Sequence, residues 1–194
     1  MKKSLVMVSL LCMMLLVGCS LQLKDQTEKN TIQVNKDGSV TGTLVEPFTE
    51  SYYKIEELER MVNEEATKYN QSAGDGAVTV TSVEMRDDGT VKVVLNYKSA
   101  TDYEKFNQKT LFVGTVAEAK ASGYAMEPMM AMDGSETISD TQILEKGDSK
   151  IVITEEAYDV KVSGKISYIS ANAEALDKKT AAVKTDAMTY IIYE

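Results

Sequence analysis

Residues 78–97, VTVTSVEMRDDGTVKVVLNY, carry the clearest structural pattern in the chain. The valines in the first half alternate with threonine and serine, which is typical of a strand with one buried face. An Asp-Asp-Gly turn follows at Asp87, and residues 91–97 return to side chains that favour strands. The segment therefore predicts an antiparallel β-hairpin.

Helical patterns alternate with further strand patterns before residue 125. Residues 31–45 predict another hairpin around an Asp-Gly turn. Residues 54–70 predict a helix, because apolar side chains recur at every third or fourth position and acids fill the opposite face. Residues 99–108 predict a short second helix. Thr115, with Glu118 three residues later, has the pattern of a capping box and predicts the start of a third helix.

The rest of the chain changes character. Residues 124–134 are predicted to be irregular, and short strand-like runs follow through 137–194. We therefore expect an α+β fold in which antiparallel β-hairpins pack with two or three helices in the N-terminal part, followed by an all-β C-terminal part. The predicted divisions are an α+β domain at 31–125, a Met-rich connector at 126–136, and a β-rich unit at 137–194. That last unit is either a subdomain or a continuation of the same sheet.

The composition excludes several classes of function. The chain has 194 residues, a net charge of −9, no histidine, no tryptophan and two cysteines. Without histidine there can be no Ser-His-Asp or Cys-His catalysis and no histidine-ligated metal. An acidic chain does not fit a nucleic-acid partner, because the phosphates must be neutralised by lysine and arginine. We expect no cofactor and no nucleic-acid partner.

The N-terminus has the parts of an export signal. A basic pair at residues 2–3 precedes an apolar run at 5–17, which is too short to span a bilayer. The run ends in Leu16-Val17-Gly18-Cys19, which resembles the lipobox of bacterial lipoprotein precursors. The resemblance implies cleavage between Gly18 and Cys19. It also implies a diacylglycerol on the Cys19 thiol, with acyl chains such as palmitate holding the protein to the membrane.

This resemblance predicts where in the cell the protein is located. Residues 1–18 would be the lipoprotein signal peptide, and residues 19–30 a short charged tether. Cleavage would change the net charge from −9 to −11, because two lysines leave with the signal peptide. Two or three acyl chains give stable anchoring, whereas an acidic body is not attracted to anionic lipid. Membrane lipid reached through Cys19 is therefore the expected partner, at the extracytoplasmic face of the cell membrane.

The body is also similar to small lipoproteins of clostridial bacteria. The segments that carry the resemblance are Asn35-Lys36-Asp37-Gly38-Ser39, Ile55-Glu56-Glu57-Leu58, Thr110-Leu111-Phe112-Val113-Gly114-Thr115 and Tyr190-Ile191-Ile192-Tyr193. These motifs are structural, so the resemblance implies no activity and no site residues. It implies a host with a single membrane, in which the protein sits on the outer face of the cytoplasmic membrane.

Four methionines lie within seven residues and form the weak metal candidate of the chain: Met126, Met129, Met130 and Met132. Clustered thioethers are soft ligands that can bind Cu(I). The competing interpretation is that flexible methionines pack an irregular segment onto the core, and this interpretation is favoured because no histidine accompanies them.

Carboxylates and tyrosines supply the remaining candidates. Adjacent acids at Asp87-Asp88 and Glu155-Glu156 have no distinguishing context, so no catalytic pair can be named. Tyrosines cluster around the first long helix and the second hairpin, where they suit either a binding face for sugar or peptide or the margin of the core with their hydroxyls in water. The second interpretation is favoured. These tyrosines are Tyr52, Tyr53, Tyr69, Tyr97 and Tyr103.

Taken together, these patterns predict a membrane-anchored extracytoplasmic lipoprotein. We expect it to be a non-catalytic binding or interaction module of the cell envelope, whose ligand or protein partner the sequence does not name. The alternatives are a carboxylate-dependent envelope hydrolase, which needs two converging acids, and weak Cu(I) binding through the segment from Met126 to Met132.

Overall fold

The computed structural model describes residues 29–50 and 52–194. The predicted signal peptide, the lipobox with Cys19 and all but the last two residues of the predicted tether lie outside the described residues.

The strands are β1 Thr31–Val34, β2 Val40–Pro47, β3 Val78–Met85, β4 Thr90–Tyr97, β5 Leu111–Thr115, β6 Met129–Ala131, β7 Thr137–Ile138, β8 Lys150–Thr154, β9 Asp159–Lys161, β10 Ile166–Ile169, β11 Ala173–Asp177, β12 Thr180–Val183 and β13 Thr189–Tyr193. The helices are α1 Ile55–Ala73, α2 Ala100–Asn107, α3 Val116–Ala121 and α4 Asp140–Leu144.

The strands form two sheets. The order in the seven-stranded sheet is β11-β12-β9-β1-β2-β4-β3, and in the six-stranded sheet it is β5-β8-β13-β10-β6-β7. Neighbouring strands are antiparallel except β1 and β9, which are parallel. Strands that follow residue 137 belong to both sheets. The α+β class with a strand-rich C-terminal part is confirmed.

The hairpin at residues 78–97 forms because its turn is encoded locally. Gly89 has a φ of +79°, a conformation that side chains with a Cβ rarely adopt. Asp88 Oδ1 accepts hydrogen bonds from the Thr90 backbone nitrogen at 3.0 Å and from Thr90 Oγ1 at 2.6 Å. A bulge between Val80 and Ser82 shifts the register within β3. The turn chemistry therefore sets which residues of β3 and β4 face each other.

Two apolar cores hold the layers together. The first core lies between the two sheets, and α1 and α2 contribute to it. The second core lies between the six-stranded sheet and the short helices α3 and α4. Both faces of the six-stranded sheet are therefore packed, whereas the seven-stranded sheet buries one face.

The structure also contains elements that the sequence did not predict. The segment 124–134, expected to be irregular, includes β6, and the C-terminal part contains α4 as well as strands. A three-residue strand is too short to produce a recognisable alternation. The start of α4 does carry a local signal, because Ser139 and Gln142 form a capping box.

Candidate functional site

The tyrosine–glutamate cluster consists of Tyr97, Tyr103, Tyr158 and Glu156. Glu156 is 5% exposed, and Tyr103 Oη donates a hydrogen bond to Glu156 Oε2 at 2.6 Å. Tyr158 also hydrogen-bonds to the carboxyl group. The rings of Tyr97 and Tyr103 meet edge to face, with their centroids 4.8 Å apart. Tyrosines on separate elements therefore surround one buried acid.

Several elements position this cluster. Glu156 lies between β8 and β9, while Tyr103 lies on α2, whose N-terminus is capped by Ser99. Gly42 on β2 leaves room for the rings, because a Cβ at this position would be 3.1 Å from Tyr97 Cε2 and 3.4 Å from Tyr103 Cε2. The small residue in β2 thus allows the two tyrosines to pack against the sheet.

Burial controls the protonation of the cluster. Burial raises the pKa of Glu156, while the hydrogen bond from Tyr103 and the charge of Lys109 lower the pKa and the charge of Asp186 raises it. Burial also raises the pKa of Tyr103 well above its usual value. Tyr103 therefore remains a hydrogen-bond donor at neutral pH. The cluster contains one enclosed carboxyl group, whereas glycoside hydrolysis needs a second carboxyl group beside the bond to be broken.

The structure contradicts one expectation about the tyrosines and distinguishes two acids that the sequence did not. The tyrosine hydroxyls were expected to lie in water, but Tyr97 and Tyr103 are 2% and 4% exposed and bond to Asn107 and Glu156. The adjacent acids also differ in their environments, because Glu155 is exposed and accepts a bond from Thr110. No local signal singles out Glu156, since its main partner lies 53 residues away in the sequence.

The four candidate methionines have different surroundings. Met129 is buried in the second core, and Met126 packs against the same core. Met132 packs against the first core, whereas Met130 is 41% exposed. The structure therefore brings Met126 and Met129 to one core and separates them from the other two. Within residues 29–50 and 52–194, no three Asp, Glu, His or Cys side chains converge as metal ligands.

The point where the chain enters the body is firmly bonded. The Asn30 side-chain oxygen accepts a hydrogen bond from the Val45 nitrogen at 2.7 Å, and its amide nitrogen donates to Glu46 at 2.9 Å. The Asn30 carbonyl accepts a bond from the Asp159 nitrogen at 2.9 Å. Residue 30 is thus held by strands on both sides of β1, and β1 itself lies inside the seven-stranded sheet.

The aromatic tip, defined as Phe48, Tyr52, Tyr53 and Met85, lies at the end of this sheet. Tyr53 contacts both Phe48 and Tyr52, with 4.9 Å between ring centroids in each pair. Tyr52 is 68% exposed and Met85 is 50% exposed. The tip therefore presents an aromatic ring and a thioether side chain to solvent.

The amide ladder crosses the outer face of the seven-stranded sheet from β1 to β3. Gln33 donates to Asn35 at 2.8 Å, and Asn35 donates to Thr41 at 3.1 Å. Thr41 in turn donates to Asn96 at 2.8 Å, and Asn96 donates to Thr81 at 2.9 Å. This face therefore presents fixed amide and hydroxyl groups to solvent.

A shallow depression of about 300 Å³ lies on the outer face of α1, away from the tyrosine–glutamate cluster. Its lining is polar and charged, as expected for a solvated helix face. The residues that line it are Arg60, Asn63, Glu64, Thr67, Lys68 and Gln71.

No helix in the part of the chain that the structure describes is long and apolar enough to cross a membrane. Comparison with protein-family models, with curated proteins and with solved structures finds no match to this chain.

Proposed function

We propose that the protein is a lipid-anchored module of the cell envelope, attached through Cys19 and acting by binding rather than by catalysis. The observation that carries this proposal is the motif Leu16-Val17-Gly18-Cys19 after a basic pair and an apolar run. A folded strand then begins at Thr31. Signal, acylation motif, short connection and body follow one another in the order that a lipoprotein requires.

The entry of the chain into the body supports an anchoring role. Asn30 is hydrogen-bonded to β2 and to the start of β9, so a force on the connection reaches the middle of the seven-stranded sheet. A terminal segment at an edge strand would be easier to detach. Firm bonding at this residue suits a body that is held from its N-terminal end.

The amide ladder supports the binding role. Both faces of the six-stranded sheet are packed, so the outer face of the seven-stranded sheet is where this fold offers ordered polar groups. Asn96, Thr79 and Thr81 on this face are exposed. Fixed donors and acceptors lose little freedom when they bind a polar partner, so they suit a recognition surface.

One observation favours the hydrolase alternative, namely the raised pKa of Glu156. Perturbed carboxyl groups are frequent in active sites. The enclosure of this group by Tyr103 and Tyr158 argues for a structural role instead, because a substrate would have to displace the tyrosines. Glu156→Gln keeps the acceptor oxygen and removes the ionisable group. If an envelope glycan or peptide is hydrolysed by the wild type and not by a folded Glu156→Gln variant, the non-catalytic proposal is wrong.

Metabolic labelling with an alkyne analogue of palmitate tests the anchor. We expect label and membrane association in the wild type and in Cys12→Ser, and neither in Cys19→Ser. Cys12→Ser is a matched control because it changes the other cysteine, which lies within the predicted signal peptide. Mass spectrometry should find a mature chain that begins at Cys19. Equal labelling of Cys19→Ser and wild type would refute the proposal.

A further inference from the structure

We infer that the aromatic tip contacts the interfacial layer of the same membrane that holds Cys19. This inference rests on the proposed lipid anchor and assigns the protein an orientation on the membrane. The anchor alone leaves the body free to turn, whereas a second contact would set which faces point toward the bilayer and which point away.

Residues 29 and 30 lie at the end of the sheet that carries the aromatic tip. In the register of β1 and β2, Thr31 lies opposite Thr43, and Asn30 bonds to Val45 and Glu46. The next residue of β2 is Pro47, which directly precedes the aromatic tip. Followed backward from β1 toward the N-terminus, the chain therefore reaches the tip end of the sheet at Asn30.

The sequence between Cys19 and the body is short. Cys19 and Lys29 are ten residue steps apart in the sequence, and ten steps of fully extended chain span at most about 36 Å. Asn30 lies at the tip end of the sheet, so a connection of this length allows the tip end to approach the membrane that would hold Cys19. A tethered surface has an effective concentration in roughly the millimolar range, so a weak contact is sufficient.

The side chains of the aromatic tip suit the layer where lipid meets water. Tyrosine combines an apolar ring with a polar hydroxyl and is enriched where membrane meets water. The exposed ring of Tyr52 and the exposed side chain of Met85 supply apolar surface. The charged residues nearby carry both signs and oppose deep insertion; they are Glu50, Lys54, Arg86, Asp87 and Asp88. The chemistry of the tip therefore favours a shallow contact at the level of the headgroups.

Fluorescence of the full-length lipidated protein in phosphatidylcholine vesicles tests this inference. The natural chain contains no tryptophan, so Tyr52→Trp introduces a single probe at an exposed position. The matched control is Lys36→Trp, an exposed position in the turn at the other end of β2. Seven residue steps along β2 correspond to about 24 Å, so the two probes report opposite ends of the sheet.

With the Tyr52→Trp protein, we expect emission at shorter wavelength in vesicles and loss of emission when the lipid carries brominated acyl chains. We expect the Lys36→Trp protein to respond to aqueous acrylamide and to be unaffected by brominated lipid. If vesicle-bound Tyr52→Trp protein responds only to acrylamide, the tip contact is refuted while the anchor stands. If the protein does not stay with the vesicles, both proposals fail. A wavelength shift that appears without lipid and grows with protein concentration indicates self-association and also overturns the inference.

Discussion

Removal of one hydroxyl group tests the energetic role of the tyrosine–glutamate cluster. Tyr103→Phe deletes the donor that lies 2.6 Å from Glu156 Oε2 and keeps the ring, which packs edge to face on Tyr97. The carboxyl group is 5% exposed, so water cannot freely replace the lost donor. A hydrogen bond to a charged group contributes about 1.5–3 kcal/mol to stability. We expect the free energy of unfolding to fall by an amount in this range.

Urea unfolding followed by circular dichroism measures this difference. Tyr168→Phe is the matched control, because it removes the same group from a half-buried tyrosine whose hydroxyl donates to the exposed Glu136 at 3.0 Å. Exposed polar pairs contribute about 0–1 kcal/mol. The dependence of the free energy on urea concentration should be the same for both variants, which would show that each unfolds from a native-like fold.

The pH dependence provides a second test on the same proteins. Because burial raises the pKa of Glu156, the folded state holds this proton more tightly than the unfolded state. The stability that this group contributes is complete below the ordinary glutamate pKa and is lost as pH rises through the raised value. The Tyr103 hydroxyl lowers the pKa of Glu156 by favouring the ionised form. Tyr103→Phe should therefore lower the free energy of unfolding less at about pH 4 than at about pH 8.

Two results would refute this reasoning. The first is a loss of stability in Tyr103→Phe no greater than that in Tyr168→Phe. The second is a loss of unfolding free energy in Tyr103→Phe that is as large at about pH 4 as at about pH 8, or larger. Either result would mean that the buried carboxyl group gains little from the tyrosine hydroxyl.

Two further substitutions test the packing and the helix ends. Gly42→Val adds a branched side chain at a position where the Cβ alone would lie 3.1 Å from Tyr97 Cε2, and overpacking of this kind costs about 1–3 kcal/mol. Thr43→Val, one residue further along β2 and on the outer face, is the control and should change stability by about 0.5 kcal/mol or less. Thr115→Ala removes the side-chain cap of α3, whose partner is the Glu118 nitrogen at 3.2 Å, and should cost about 0.5–2 kcal/mol. Thermal unfolding measures all three, and a Gly42→Val protein as stable as the wild type would contradict the packing argument.

Local chemistry explains which elements could be predicted. The hairpin at 78–97 depends on an Asp-Gly turn and on alternation within its own strands, so the sequence contains all of its determinants. The helix α1 likewise follows from apolar spacing, and α3 follows from the capping box at Thr115. The short strands β6 and β11 escaped prediction, because their partners rather than their own residues decide their conformation.

The candidate sites also differ in whether the sequence alone could predict them. The lipobox is a contiguous motif and could be recognised without a structure, and its lipid attachment stays a prediction. The burial of Glu156 could not be predicted, because Tyr103 reaches it from α2 and Gly42 on β2 makes room for the Tyr103 ring. Tyr52 is exposed and Tyr97 is buried, although both residues belong to the same tyrosine-rich half of the sequence.

The sequence by itself determined the hairpins, the main helices, the acidic character and the predicted address of this protein, because each of these depends on neighbouring residues or on composition. The tertiary structure decided the parallel pairing of Thr31 with Asp159, the enclosure of Glu156, and the position of the aromatic tip beside the chain entry. These features join residues far apart in the chain, and their free energy comes from burial and hydrogen bonds that form when the two sheets pack together.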